Sequence, residues 1–340
     1  MTRESLCPAP AVSPGPGHRV HDLPAGPDTV RVGVIDPAAP PVLTIDPGDE
    51  VTLSTWGHWG DKVTPDTVME DFPALRAAFP EALGPHSLTG PIHVRGARPG
   101  DTLAVDVLAL TPAAHGFNLV VAHPRGRGVL RDRFPSGTIR HFALDRESMT
   151  TTLGGRVRVP LKPFLGIMGV APAEDGPRST VEPGCFGGNM DLSVLVVGSR
   201  LRLPVFRDGA GFYCGDGHAV QGDGEVNQTA IETGMDHVRL RFTVERGPRR
   251  LRTPRAETGT HFVSTGFGRS LEEAARDAVD DLVDWLIEEG LDPEEAYSLC
   301  SIAADVRVTQ MVNGVVGVHA VIEKLTRRPG AAPRPSRNNT

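Results

Sequence analysis

The sequence lacks any close pair of cysteines: its 4 cysteines, Cys7, Cys185, Cys214 and Cys300, are widely separated, which excludes a cysteine zinc knuckle or a redox couple and leaves reduced thiols as the expectation. It also lacks an uninterrupted apolar run. Neither a secretory signal after Arg3 nor a membrane span later in the chain is expected, and the expected compartment is the cytoplasm. Basic clusters are missing too, with 35 Lys and Arg scattered among 42 Asp and Glu for a formal net charge of -7, so a nucleic acid partner is not expected. No internal repeat is visible.

Turn residues, by contrast, are plentiful. With 39 Gly and 31 Pro in 340 residues, the composition predicts many short extended segments and few long helices. The Pro-rich, apolar-poor ends, residues 1–18 and 328–340, are expected to be disordered tails around one domain, residues 19–327. Within it, Val42 to Ile45 and Glu50 to Thr55 flank Asp46-Pro47-Gly48-Asp49 and read as a hairpin. Leu103, Val105, Val107 and Ala109 alternate at the strand period, and Leu201 and Leu203 alternate with Arg200 and Arg202. Ser270-Leu271-Glu272-Glu273 is a capping box that opens a helix with apolar residues to Leu286, stopping at Gly290. Asp292-Pro293 opens a second, shorter helix, and Asn313-Gly314 between valine-rich segments predicts a closing hairpin.

Chemistry concentrates between Gly184 and Glu232. Here Gly215-Asp216-Gly217-His218-Ala219-Val220-Gln221-Gly222-Asp223-Gly224-Glu225 follows an upstream Gly187-Gly188-Asn189-Met190-Asp191. Taken singly, Asp-Gly steps are turn formers and His218 an ordinary structural histidine. Taken together, glycines at this density mark backbone that takes positive φ or approaches a ligand closely. Asp191, His218, Asp223 and Glu225 supply a mixed nitrogen and oxygen donor set suited to zinc or a neighbouring divalent metal, with calcium as a possible second ion. An EF-hand spacing is absent. Such a metal would lower the pKa of water from about 15.7 toward about 7, giving hydroxide for attack on an amide carbonyl. The backbone at Gly188 or the Asn189 side chain could then stabilise the oxyanion, and Glu225 or Asp216 could pass a proton to the leaving amine.

These two motifs resemble those of the acetamidase/formamidase family, and the similarity extends through Gly96-Ala97-Arg98-Pro99-Gly100-Asp101, Gly169-Val170-Ala171-Pro172 and Asp305-Val306-Arg307-Val308-Thr309-Gln310. The resemblance implies cleavage of the C–N bond of a small linear amide to a carboxylate and ammonia. It also implies a β-rich α+β fold, a β-sandwich scaffold with a C-terminal helical pair and closing hairpin. Where many members carry His before Gly-Gly-Asn, this chain has Phe186; Phe186, Trp56, His58 and Gln221 are the expected substrate-binding residues. A symmetric homodimer or higher homo-oligomer is expected, without nucleic acid or membrane partners. Two other readings stand beside this one: a catalytically silent relative that binds a small molecule or metal, and a thiol amidase using Cys185. His86, His93, His115 and His123 read as turn or surface residues, and His319 as core.

Overall fold

The computed structural model describes residues 17–121, 124–247 and 250–324. Cys7, His123 and, apart from Gly17 and His18, the two expected tails lie outside the described residues.

Two nine-stranded sheets form the body of the fold. In the first, the long antiparallel pair Thr102–Pro112 and Met235–Glu245 is extended on one side by Glu50–Thr55 and on the other by Arg200–Pro204. In the second, Phe212–Val220 is central: it pairs antiparallel with Phe164–Gly169, with Ile231–Thr233 and with Ser87–Val94. The alternation predicted for Leu103, Val105 and Val107 turns their side chains inward, where they meet Ile92, Ile167, Met168 and Phe212 of the other sheet in one continuous core. The β-rich α+β sandwich expected from the sequence is therefore the fold observed.

The two helices lie where their sequences place them. Leu271–Glu288 starts at Ser270, whose Oγ accepts from Glu273 N–H at 3.2 Å, while Glu273 reaches back to Arg269 N–H rather than to Ser270, one residue off the capping-box pattern. Ala274, Ala278, Leu282, Trp285 and Leu286 pack this helix onto His261–Gly268 and Val316–Glu323. Pro293–Ala303 follows, capped by Asp292. No helix among the described residues is long and apolar enough to cross a membrane.

Two turn readings are corrected. Residues on either side of Asp46 to Asp49 do not form a hairpin: Leu43–Ile45 pairs parallel with Ser87–Val94 in the second sheet, whereas Glu50–Thr55 joins the first. The turn is locally as expected, with Asp49 N–H donating to Asp46 O, but local turn chemistry reverses a chain without choosing the strands it will pair with. The closing hairpin does form from Asp305–Gln310 and Val316–Glu323. Its loop, however, is wider than a two-residue Asn-Gly turn, because Gln310 Oε1 accepts from Val312 and Asn313 N–H and its Nε2 donates to Val315 O. Asn313 is thereby free to point its side chain elsewhere.

Candidate active site

Asp216 and His218 lie on the central strand Phe212–Val220, which is crowded on both sides: a Cβ on Gly215 would come within 2.1 Å of Ser87 O. Asp191 follows the edge strand Gly187–Asn189, Glu225 ends the glycine-rich loop, and Glu232 sits on Ile231–Thr233. All five are buried. Asp191, Asp216 and Glu225 adopt positive φ of 52°, 56° and 47°. Such backbone costs about 1–3 kcal/mol per non-glycine residue and persists only where the surroundings hold it in place.

His58 completes the group from the opposite direction. It begins a tight turn in which Trp59 and Asp61 also take positive φ, and its Nε2 lies 2.9 Å from Asp216 Oδ1 and 3.3 Å from Glu232 Oε2. His218 Nε2 is 3.1 Å from the same Glu232 oxygen and 3.4 Å from Asp216 Oδ2, and its Nδ1 is 3.9 Å from Asp191 Oδ1. His86, 5.1 Å from His58 between ring centroids, anchors its Nδ1 against Thr180 Oγ1 at 2.8 Å.

The electrostatics divide the group. Burial disfavours charge on His58, but Glu232 and Asp216 outweigh it and raise its pKa to about 10; the same two carboxylates raise His218 well above its ordinary value against burial. Burial lowers His86 to about 4, leaving a neutral imidazole. Burial raises Asp191 to about 7, and burial with the neighbouring Asp191 raises Glu225 well above the carboxylate range. Asp216 and Glu232 are lowered despite burial, because the histidines around them prevail.

Hydrogen bonding leaves this cluster incomplete. Asp191 Oδ1, His218 Nδ1 and Glu225 Oε2 are buried without a hydrogen-bond partner, whereas Glu232 Oε2 is held by the His218 and His58 Nε2 atoms. Ligand atoms of Asp191, His218 and Glu225 lie within 4.8 Å of one another, as do those of Asp216, His218 and Glu232, and of His58, His86 and Asp216. Beneath them a Cβ on Gly166 would stand 2.7 Å from each of Asp191 Oδ1, Asp216 Oδ2 and His218 Cε1, so only glycine leaves this floor open. Two amides support Asp191: Asn313 Nδ2 donates to its Oδ2 at 2.6 Å, and Gln221 Nε2 donates to its backbone O at 3.0 Å.

The structure thus gathers Asp191, Asp216, His218, Glu225 and His58, and adds Glu232, His86, Asn313 and Gly166, which the sequence reading did not select. Asp223 stands apart: it is exposed and accepts from Ser193 Oγ. Gln221 donates its Nε2 to the Asp191 backbone O, and its Oε1 is buried without a partner. Phe186 is core, 1% exposed, with the Arg178 guanidinium 4.5 Å above its ring. Asn189 donates its Nδ2 to Val181 O and leaves its Oδ1 buried without a partner; Gly188 lies beside it, packed over Phe186. A cavity of about 600 Å³ opens onto His58, His86 and Asn313, and Trp59 rather than Trp56 lines it. Burial pushes the Cys185 thiol up and Cys214 up to about 12, the reverse of what a nucleophilic thiolate requires.

The profile of the Acetamidase/Formamidase family matches residues 33–182 and 173–326. An acetamidase of Mycolicibacterium smegmatis is 28% identical over 262 residues, 58% of this chain and 62% of that protein. A formamidase of Methylophilus methylotrophus is 28% identical over 241 residues, 56% of this chain and 58% of that one. The chain thus spans about six-tenths of the length of these curated relatives. The solved acetamidase structure from Yersinia enterocolitica superposes with a TM-score of 0.80 at 29% identity, covering 91% of this chain and 93% of that one.

Proposed function

Because the chain belongs to the acetamidase/formamidase family, we propose that it hydrolyses the C–N bond of a linear amide at the cluster of Asp191, Asp216, His218, Glu225 and Glu232. The observation that carries this reading is the set of buried, unpartnered atoms on Asp191, His218 and Glu225, which converge over the open floor at Gly166. Buried polar groups are normally satisfied, and a set left open together fits a missing electrophile better than a packing fault.

Asp191, His218 and Glu225 would hold a divalent cation, and their nitrogen and oxygen donors suit zinc first, with a harder ion such as calcium as a second occupant. When bound there, such an ion supplies Lewis-acid polarisation and lowers the pKa of water from about 15.7 toward about 7. In the overall reaction, water oxygen joins the acyl carbon, the C–N bond breaks, and nitrogen leaves as ammonia with a proton drawn from the water. Glu232 and His58, 3.3 Å apart at Oε2 and Nε2, form the pair that carries this proton at the inner end of the cavity. Gln221 and Asn313 keep Asp191 in its strained backbone conformation and fixed side-chain direction. The continuous core between the sheets supports one catalytic domain, residues 19–327, and association as a symmetric homo-oligomer is part of the same reading.

The test is metal content of the purified protein by elemental analysis, paired with ammonia release from formamide, acetamide and larger amides before and after chelation. Stoichiometric metal with chelator-sensitive release is expected. Metal-free protein that releases nothing on metal addition overturns the reading in favour of a silent binding relative, and release abolished by alkylation but untouched by chelators assigns the chemistry to a thiol.

A further inference from the structure

The cavity that ends on His58, His86 and Asn313 has a volume of about 600 Å³, in the range that houses ligands much larger than acetamide. Its wall is cationic in a chain whose net charge is -7: Arg76, Arg125, Arg127 and Arg131 line it, and among the described residues no Asp or Glu does. Elsewhere arginines are matched with acids, as in Arg200 with Asp106, Arg241 with Glu50 and Arg255 with Asp281. Here Arg76, Arg125 and Arg127 form no ion pair among the described residues, and Arg131 reaches only Asp132, at 4.0 Å.

Arg76 lies 5.9 Å above the Trp59 ring, and burial together with the neighbouring Arg125 lowers its pKa, the sign of like charges held close without a counterion. Arg127 reaches the loop that carries the site: a Cβ on Gly314, the residue after Asn313, would meet Glu182 Oε1 at 3.0 Å and Arg127 Nη1 at 3.2 Å, so one acid stands near Arg127 without forming an ion pair with it. Phe72 and Leu119 supply apolar wall alongside the guanidinium groups. A small neutral amide would leave Arg76 and Arg125 repelling each other. An anion among them would neutralise the wall and accept the planar, paired hydrogen bonds that guanidinium groups offer.

We propose that the cavity takes an amide bearing a carboxylate at the far end of its acyl chain, the amide group at His58 and the carboxylate among Arg76, Arg125 and Arg127. This inference of substrate class rests on the amide-hydrolase reading of the buried cluster. It makes the arginines specificity determinants that touch the substrate away from the scissile bond.

The test compares kcat/KM for ammonia release from the monoamide of glutaric acid and from pentanamide, using the metal-loaded enzyme. The charged amide is expected to be favoured about tenfold or more, as for one charge-assisted hydrogen bond, with the preference shrinking as ionic strength rises. In the double variant Arg125→Gln/Arg127→Gln, both changes fall on exposed side chains; the preference should be lost, while pentanamide hydrolysis stays within about twofold, as for surface substitutions. Equal rates on the two amides, or a variant that slows both alike at an unchanged melting temperature, overturn the proposal. Should neither amide be hydrolysed, the hydrolase reading fails separately, and calorimetry with glutarate decides the cavity: binding abolished in the double variant upholds the anion site, and no binding to the natural protein overturns it.

Discussion

Beneath the helix Leu271–Glu288, Arg255 is buried and fully engaged: Nε and Nη2 donate to the two Asp281 oxygens at 2.8 and 3.0 Å, and Nη1 donates to Glu288 at 2.8 Å. Over Gly166, an equally buried group of Asp191, His218 and Glu225 leaves one side-chain atom per residue without a partner. Both regions bury charge, so burial alone does not identify a site. Completeness of the hydrogen bonding does. The first arrangement closes on itself and ties helix to sheet, whereas the second keeps donor and acceptor atoms that no protein group satisfies.

The largest expected break in this contrast is His218→Ala. Metal content by elemental analysis should fall below stoichiometric and kcat/KM for amide hydrolysis should fall on the order of 10³-fold or more, the scale of losing a member of a catalytic unit. Retention of stoichiometric metal would exclude His218 as a necessary ligand. Arg255→Met should act in the opposite currency: unfolding in urea is expected to show a loss of about 3–5 kcal/mol from the stranded Asp281, with activity per folded molecule unchanged. Next, Gly166→Ala places a methyl against three site atoms and should weaken metal affinity, read by competition with a chelator, by about 100-fold, with a loss of about 1–3 kcal/mol in stability from the overpacked floor. Gln221→Ala, which removes only support for the Asp191 backbone, should weaken it by about tenfold.

The smallest effect sharpens the comparison at a third buried acid. Asp49 is 2% exposed, and although burial opposes its charge, the N–H groups of Arg19 and Asp46 and the His21 imidazole lower its pKa. A carboxylate with a depressed folded-state pKa adds stability above its unfolded value, near 3.9, and loses it as pH falls through the folded value. Asp49→Asn should therefore cost on the order of 1 kcal/mol at neutral pH, and denaturation curves should show that difference shrinking as pH falls through the folded-state pKa of Asp49.

Legibility in the sequence followed the range of the interaction. The helix Leu271–Glu288 was readable because its cap and its apolar stripe are local, and Asp216, His218 and Glu225 because they share one glycine-dense segment. Asn313 was hidden by its own strength as a turn signal, and the segment around Asp46 by a turn whose flanks enter different sheets. Gly166, a glycine inside the apolar strand Phe164–Gly169, did leave a trace, since such a glycine marks a close approach of backbone to something else. Asp223 was included wrongly in the inner group because adjacency in the motif says nothing about which side chains of a loop turn inward.

The order of residues by itself determined the predominance of short strands, the helical layer and the segment that carries the candidate chemistry, through composition and periodicities a few residues long, while the sandwich was implied by the family resemblance. Only the tertiary structure decided that His58, His86 and Asn313 meet that segment, that the Asp223 side chain within it turns outward, and that four arginines face the same cavity. Those decisions depend on how two sheets stack and where a distant loop ends, and no local propensity encodes the distance between residues more than a hundred positions apart.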